Sequence, residues 1–217
     1  MAEWLNVAFN GFDTAIFNVM NGINCGFLNA FCKYFSYLGE KGLGFIFASL
    51  ILMCFAKTRR SGFCMLLAIA FGALMTNVVI KNVVERARPY VADGQFNAYW
   101  QQAGANLESE FSFPSGHTTA STAFGVAMFL SFNKKWSWAG ILGAFIMGFC
   151  RIYLVVHYPT DVIAGLLVGT IGALASYFVV KLLYTKWIDK NPTNKFCSFV
   201  REFSVVNIFT KDKKNSD

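Results

Sequence analysis

Charge is scarce in this chain of 217 residues: Asp, Glu, Lys and Arg together make up 14%, against 55% hydrophobic residues, and the mean hydropathy is +0.45. Long charge-free runs separate the few charged clusters, which excludes an ordinary soluble domain and points to a chain that crosses a membrane several times. Histidine is scarcer still, with only His117 and His157, so any chemistry that rests on an imidazole has two positions to use. The six cysteines, Cys25, Cys32, Cys54, Cys64, Cys150 and Cys197, contain no C-x-x-C pair, and neither a disulfide framework nor a metal site is expected from them. No group of carboxylates or histidines has metal-ligand spacing, so no metal or other cofactor is expected. A basic start followed by a short apolar run and a small-residue cleavage site is also missing, so no removable signal peptide is expected.

What the chain does have is apolar length. Residues 61–80 (SGFCMLLAIAFGALMTNVVI) and 162–180 (VIAGLLVGTIGALASYFVV) can each cross a hydrocarbon core of about 30 Å at about 1.5 Å per residue. Shorter charge-free runs at 42–56, 118–133 and 136–150 extend through flanks suited to an interface or a bundle interior. The expected fold is therefore all-α, a polytopic membrane helical bundle of five transmembrane helices within residues 41–186. Residues 14–32 carry no charge, yet Asn18, Asn21, Asn24 and Asn29, with Gly22 and Gly26, make a poor lipid-facing helix. Residues 1–40 thus read as two short helices lying on the membrane surface or re-entering it, with a sixth span as the alternative. Residues 187–217 read as a basic tail in which Phe196, Phe199, Val200 and Phe203 share one face of an interfacial helix.

Of the 19 Lys and Arg residues, 13 fall between Lys57 and Arg60, at Lys134 and Lys135, and from Lys181 to Lys214. With five spans these regions share one side, which the positive-inside rule makes the cytoplasm of a multi-pass cell-membrane protein. The net charge of +7 is then mostly topological, and no nucleic-acid partner is expected. Gly165 and Gly169 form a G-x-x-x-G, and Gly140, Gly143 and Gly148 recur in one run; close helix packing accounts for them. The remaining cations, Lys33, Lys41, Lys81, Arg86, Arg88 and Arg151, sit towards the opposite, extracytoplasmic side, where topology gives no reason for them.

Three segments share that side. In KNVVERARP, Lys81 and Arg88 are seven apart, which on a helix puts them about 20° from the same face and about 10 Å apart along the axis; Pro89 then ends the helix. In FPSGH, Ser115 reads as an N-cap, and the free N–H groups of Gly116 and His117 make the start of the next helix a ready anion site. In CRIYLVVHYPTD, Arg151, His157 and Asp161 fall where one span ends and the next begins, with Pro159 breaking the helix. Asp161 can turn back to accept a hydrogen bond from the His157 ring, fixing its tautomer and sharpening the other nitrogen as a nucleophile. Arg151 and His157 are about 120° apart on a helix, so Arg151 reaches across the site. Ionisable groups are costly in a membrane, and their convergence on one side makes an anion cradle holding a nucleophile and an acid.

At these residues the sequence resembles the type-2 phosphatidic acid phosphatase family, which shares its site with vanadium-dependent haloperoxidases. The family pattern is K-x6-R-P, then P-S-G-H, then S-R-x5-H-x3-D. Lys81 to Pro89 match the first part, Pro114 to His117 the second, and Arg151, His157 and Asp161 the third; Cys150 stands where the family has serine. The resemblance implies a metal-independent hydrolase of lipid phosphomonoesters or diphosphates, with a lipid phosphate and membrane lipids as its partners. His157, oriented by Asp161, would attack phosphorus; Lys81, Arg88, Arg151, Ser115 and Gly116 would hold the equatorial oxygens; His117 would protonate the leaving oxygen; water would then hydrolyse the phosphohistidine. Undecaprenyl diphosphate is the first expectation among substrates, ahead of phosphatidylglycerophosphate and phosphatidic acid. A haloperoxidase would use nearly the same residues, but those relatives are soluble. A non-enzymatic anion transporter would explain the cations and leave His157 and Asp161 unexplained. In the 90–113 loop, Tyr90, Phe96, Tyr99 and Trp100 are expected to meet the headgroup region, with Asp93, Glu108 and Glu110 disfavouring extra anionic headgroups.

Overall fold

A computed structural model describes residues 1–205, and those residues contain helices and turns but no strand. The last residues of the basic tail, 206–217, lie outside that range. The chain opens with α1 (Ala2–Gly22) and α2 (Gly26–Leu38). A break at Lys41 (φ 50°) and Gly42 (φ 71°) then leads into α3 (Leu43–Met53). The N-terminal part differs from the expectation of two short helices, because α1 alone runs for 21 residues. Its asparagines face protein: Asn6 accepts from Arg86, Asn18 from Gln95 and Tyr99, and Asn29 from Tyr153. These groups are polar because they meet polar partners, which is why the segment reads badly as a lipid-facing helix.

α4 (Arg59–Ala73) continues through a π-helical segment, Leu74–Ile80, into the single turn α5 (Lys81–Val84). A π-helix bonds i to i+5, so the N–H of Lys81 donates to the Thr76 carbonyl and both residues turn towards the helix packed opposite. The helix stops there. Glu85 adopts a left-handed conformation (φ 52°), Arg88 is extended, and Pro89 opens α6 (Pro89–Ala92) as its first residue, the position where its missing N–H costs nothing. Lys81 and Arg88 consequently do not share a helical face, and Pro89 starts a helix where it was expected to end one.

α7 (Gly94–Ala103) follows, capped by the Asp93 side chain. Tyr90 of α6 and Phe96 of α7 pack inward, contrary to the expected headgroup contact, while Tyr99 and Trp100 are half-buried. Phe96 lies 4.7 Å from Phe17, Tyr90 stacks on Trp100 at 4.8 Å, and Phe96 and Tyr90 are buried. Burying such rings removes large apolar areas from solvent and fixes α7 and α1 to the end of the bundle.

The bundle centre is α8 (Gly116–Ser131), flanked by α4, by α9 (Lys134–Tyr153) and by α10 (Pro159–Leu183). Small residues allow that density. A Cβ on Gly125 would fall 2.3 Å from the Gly140 carbonyl, and one on Gly169 would fall 2.6 Å from that of Thr119, so only glycine lets these backbones approach so closely. At the far end α11 (Lys195–Glu202) folds back on the start of α4, held by Arg59, which donates to the carbonyls of Val200 (2.7 Å) and Phe203 (2.5 Å). Phe196 and Phe199 of α11 are exposed, while Val200 packs against the core.

Among the described residues, three helical stretches, Gly26–Met53, Arg59–Ala92 and Pro159–Ile188, are long and apolar enough to cross a membrane. They contain the expected runs 61–80 and 162–180 whole, and residues 42–53 of the run 42–56, which leaves the helix after Met53. The runs 118–133 and 136–150 became α8 and α9, which fall short by that measure. α8 has 16 residues and buries Thr118, Thr119, Ser121 and Thr122 on its protein-facing side, and α9 opens with two lysines. All the expected site residues gather where α5 and α9 end and α8 and α10 begin.

Candidate active site

His157 sits between α9 and α10, in a loop that includes the left-handed Val155 (φ 55°), and is almost entirely buried. The helix α9 has already ended at Tyr153, so the spacing of Arg151 and His157 is set by that loop and not by a helical turn. Arg88 Nη1 lies 3.0 Å from His157 Nε2. A guanidinium only donates, so Nε2 must be the accepting nitrogen and Nδ1 carries the proton. That proton points to a pair of acceptors: Ser112 Oγ at 3.5 Å and Asp161 Oδ2 at 3.7 Å. Ser112 Oγ in turn donates to Asp161 Oδ2 at 2.5 Å. The direct histidine–aspartate hydrogen bond read from the sequence is thus longer than a hydrogen bond, and Ser112 bridges it. Burial holds the His157 imidazole well below its ordinary pKa, and Arg88, Arg151 and Lys81 push the same way. A neutral ring with a lone pair on Nε2 is the form a nucleophile needs.

Asp161 is fully used by its neighbours. Oδ2 also accepts from the Tyr158 N–H at 3.0 Å, and Oδ1 accepts from Arg86 Nη1 at 2.6 Å. Arg86 is itself buried, with its guanidinium 3.6 Å from the Tyr158 ring centroid and hydrogen-bonded to Asn6, Thr160 and Asp13. Arg86 lay inside the first motif without a role, and Asp13, Ser112 and Asn6 lay outside every motif.

A cavity of about 200 Å³ opens in front of His157 and is lined by Lys81, Arg88, Gly116 and His117, with Ile69 and Ala120 on its apolar side. Gly116 faces Lys81: a Cβ there would lie 3.9 Å from Lys81 Nζ. Ser115 is the N-cap of α8, as its position before the helix predicts, accepting from the Thr118 N–H at 3.4 Å and the Thr118 hydroxyl at 2.9 Å. Its hydroxyl is wholly buried and used within the helix start, while Gly116 and His117, the first residues of α8 and so without helical acceptors for their N–H groups, line the cavity. Arg151 is buried beside the cavity and lines a neighbouring one of about 230 Å³. The structure therefore brings Lys81, Arg88, Gly116, His117 and His157 to one cavity, leaves Ser115 and Asp161 buried behind its lining, and places Arg151 on the neighbouring cavity.

The cations already hold carboxylates. Glu110 pairs with Lys81, Glu108 pairs with Arg151 and lies 4.0 Å from Arg88, and Glu40 Oε2 lies 3.6 Å from His117 Nε2. The hydrogen bond from Lys81 holds the Glu110 carboxyl below its ordinary pKa. These carboxylates stand where the oxygens of an anionic ligand would sit, on Lys81, Arg88 and Arg151. Chemically, the arrangement can bind a tetrahedral oxyanion, attack it from Nε2 and supply a proton from the opposite wall.

Residues 61–185 match the PAP2 superfamily. The chain belongs to the PAP2 superfamily. It is 30% identical over 164 residues to an undecaprenyl-diphosphatase of Sulfolobus acidocaldarius, covering 74% of each chain. It is also 30% identical over 188 residues to a lipid A 4'-phosphatase of Bacteroides thetaiotaomicron, covering 83% of this chain and 82% of that one. Among solved structures it is similar to a transmembrane PAP2-type phosphatidylglycerolphosphate phosphatase from Bacillus subtilis. The TM-score is 0.63 at 30% identity, over 83% of this chain and 88% of the other. Within this PAP2 chain, Cys150, at the position of the family serine, is buried and packs in one core cluster with Cys32 of α2. That position therefore faces α2 instead of the cavity.

Proposed function

We propose that the protein is a membrane lipid phosphatase that hydrolyses a phosphomonoester or diphosphate through a phosphohistidine on His157, without a metal ion, with undecaprenyl diphosphate as the favoured substrate. The observation that carries the reading is the state of His157: a buried neutral imidazole whose proton points back to Ser112 and Asp161 and whose lone pair points to Arg88 at the cavity wall. An incoming phosphate draws Arg88, Lys81 and Arg151 onto its oxygens and displaces Glu108 and Glu110 from them. Arg88 thereby releases Nε2, which attacks phosphorus in line. The bond from phosphorus to the leaving oxygen breaks, His117 gives that oxygen a proton, and the Gly116 and His117 N–H groups, with the three cations, hold the equatorial oxygens. Water, deprotonated by His117, then cleaves the P–N bond.

The site end of the bundle is read as extracytoplasmic and the chain as having five spans, with α8 and α9 crossing alongside the three apolar stretches. The basic residues at the start of α4, the start of α9 and the end of α10 support this orientation. A phosphate-release assay on purified protein in detergent, over undecaprenyl diphosphate, phosphatidylglycerophosphate, phosphatidate and a lipid A phosphate, tests the function. Turnover that survives EDTA, fastest on the isoprenyl diphosphate, is expected. No release from any of them overturns the reading, and activity lost to EDTA and restored by magnesium overturns its metal-free step.

A further inference from the structure

Behind Asp161 lies a second layer of charge. Arg86 Nη1 donates to Asp161 Oδ1 at 2.6 Å, and its Nη2 donates to Asp13 Oδ2 at 3.0 Å. Asp13 comes from the middle of α1. Its two oxygens also accept from the Thr160 N–H at 3.0 Å and the Thr160 hydroxyl at 2.9 Å, at the start of α10. Asn6 Oδ1 takes the Arg86 Nε–H at 2.8 Å, and the Tyr158 ring covers the guanidinium face. Asp13, Arg86 and Asp161 are each at most 2% exposed, so water screens none of them and their charges act on one another in a low-dielectric setting.

From this network we propose that Arg86 and Asp13 are positioning residues for the phosphoryl-transfer step, and that α1 is part of the catalytic apparatus. The inference rests on the reading of His157 as the nucleophile. Its physical content is a charge count. Arg86 fixes the Asp161 carboxylate from behind, and on its own it would also cancel the carboxylate's charge. Asp13 restores the balance: two carboxylates and one guanidinium leave a net charge of −1 behind His157. When Nε2 bonds to phosphorus, the ring becomes an imidazolium that still holds its Nδ1 proton, and the layer becomes neutral overall. Asp13 thus stabilises the charge that develops on His157 during attack, without touching substrate. Its effect falls on the chemical step and not on binding.

The test is Asp13→Asn, which keeps the side chain's shape and removes its charge. With the lipid on which the wild type is most active, kcat is expected to fall about tenfold or more while KM stays within about threefold. The rate of phosphoenzyme formation in a rapid-quench experiment should fall by the same factor. The double variant Asp13→Asn with Arg86→Gln returns the layer to −1, and its kcat should rise at least about threefold above that of Asp13→Asn alone. Wild-type kcat in Asp13→Asn overturns the proposal, and so does a double variant slower than the single one, because a purely structural role makes the two losses compound. Should Asp13→Asn fail to give a monodisperse protein, Asn6→Ala, which removes the acceptor of the Arg86 Nε–H, decides the matter. A lower kcat at unchanged KM supports the proposal, and an unchanged kcat overturns it. Absence of turnover and of phosphoenzyme in the wild type on any lipid would instead reject the reading of His157.

Discussion

Arg59 and Arg86 lie towards opposite ends of the helical run that begins with α4, and both are buried. Their partners differ in kind. Arg59 gives its N–H groups to the backbone carbonyls of Met53, Val200 and Phe203, while Arg86 gives its own to Asp13, Asp161, Thr160 and Asn6. Lys81 and Arg151 at the site end likewise pair with Glu110 and Glu108, and Lys134 at the far end bonds the Phe129 carbonyl and lies over its ring. Arg88 combines the two, donating to the Glu110 and Val156 carbonyls at 2.8 Å and lying 4.0 Å from Glu108. A guanidinium on carbonyls closes a helix end and needs no counter-charge in chemistry. A guanidinium on carboxylates sets the charge of its neighbours, and that is where reactivity can be tuned.

The comparison separates activity from stability, and the largest separation is expected at His157. Replacing it by alanine should remove turnover by about a thousandfold or more, since no third histidine is present to substitute, while detergent-solubilised protein keeps its melting temperature within a few degrees. Residual turnover within tenfold of wild type in a lipid phosphate assay would take the nucleophile's role away from it. Arg151→Lys should come next. A point charge cannot reproduce the guanidinium fork, so turnover should fall about a hundredfold and vanadate inhibition should weaken with it. Full vanadate sensitivity in an inactive Arg151→Lys protein would show that Arg151 acts on the fold alone.

Arg59→Ala should behave in the opposite way. Losing the donors to three carbonyls is expected to cost about 1–3 kcal/mol of stability, read as a lower midpoint in thermal or denaturant unfolding. Activity per folded molecule should stay within about twofold of wild type, and a selective loss of kcat would erase the distinction between the two ends. The smallest effect is expected at the edge of the site. Glu108 is partly exposed, so Glu108→Gln, by removing a competing anion from Arg151 and Arg88, should tighten vanadate inhibition by about threefold. Weaker inhibition would mean that Glu108 organises the cations and does not compete for them.

Much of the site was legible because its residues lie in three short segments at bundle ends, where a buried charge or an N-cap has no topological excuse. Lys81, Arg88, His117, Arg151, His157 and Asp161 all follow from that logic. What the segments do not carry is the geometry between them. Ser112 reaches Asp161 across 49 residues and Asp13 reaches Arg86 across 73, and pairings of that kind leave no periodic trace in a sequence. The wrong details have local causes. The sequence reads as one helix from Lys81 to Arg88 because nothing in VVERA marks the left-handed turn at Glu85, a residue with no special liking for it. The asparagines of α1 and α2 are visibly unsuited to lipid, but their partners, Arg86, Gln95, Tyr99 and Tyr153, are distant in sequence. The aromatic residues of 90–113 are ambiguous in sequence because apolar rings in a loop satisfy an interface and a protein core equally well.

The central claim is a covalent phosphate on Nε2 of His157. Rapid quenching of the protein with a phosphate-labelled lipid, followed by peptide mapping under alkaline conditions that spare phosphohistidine, measures it directly. Label is expected on the peptide carrying His157, formed no more slowly than phosphate is released and absent from His157→Ala. Steady turnover with no labelled histidine at any quench time, or label on the peptide carrying His117, would contradict it.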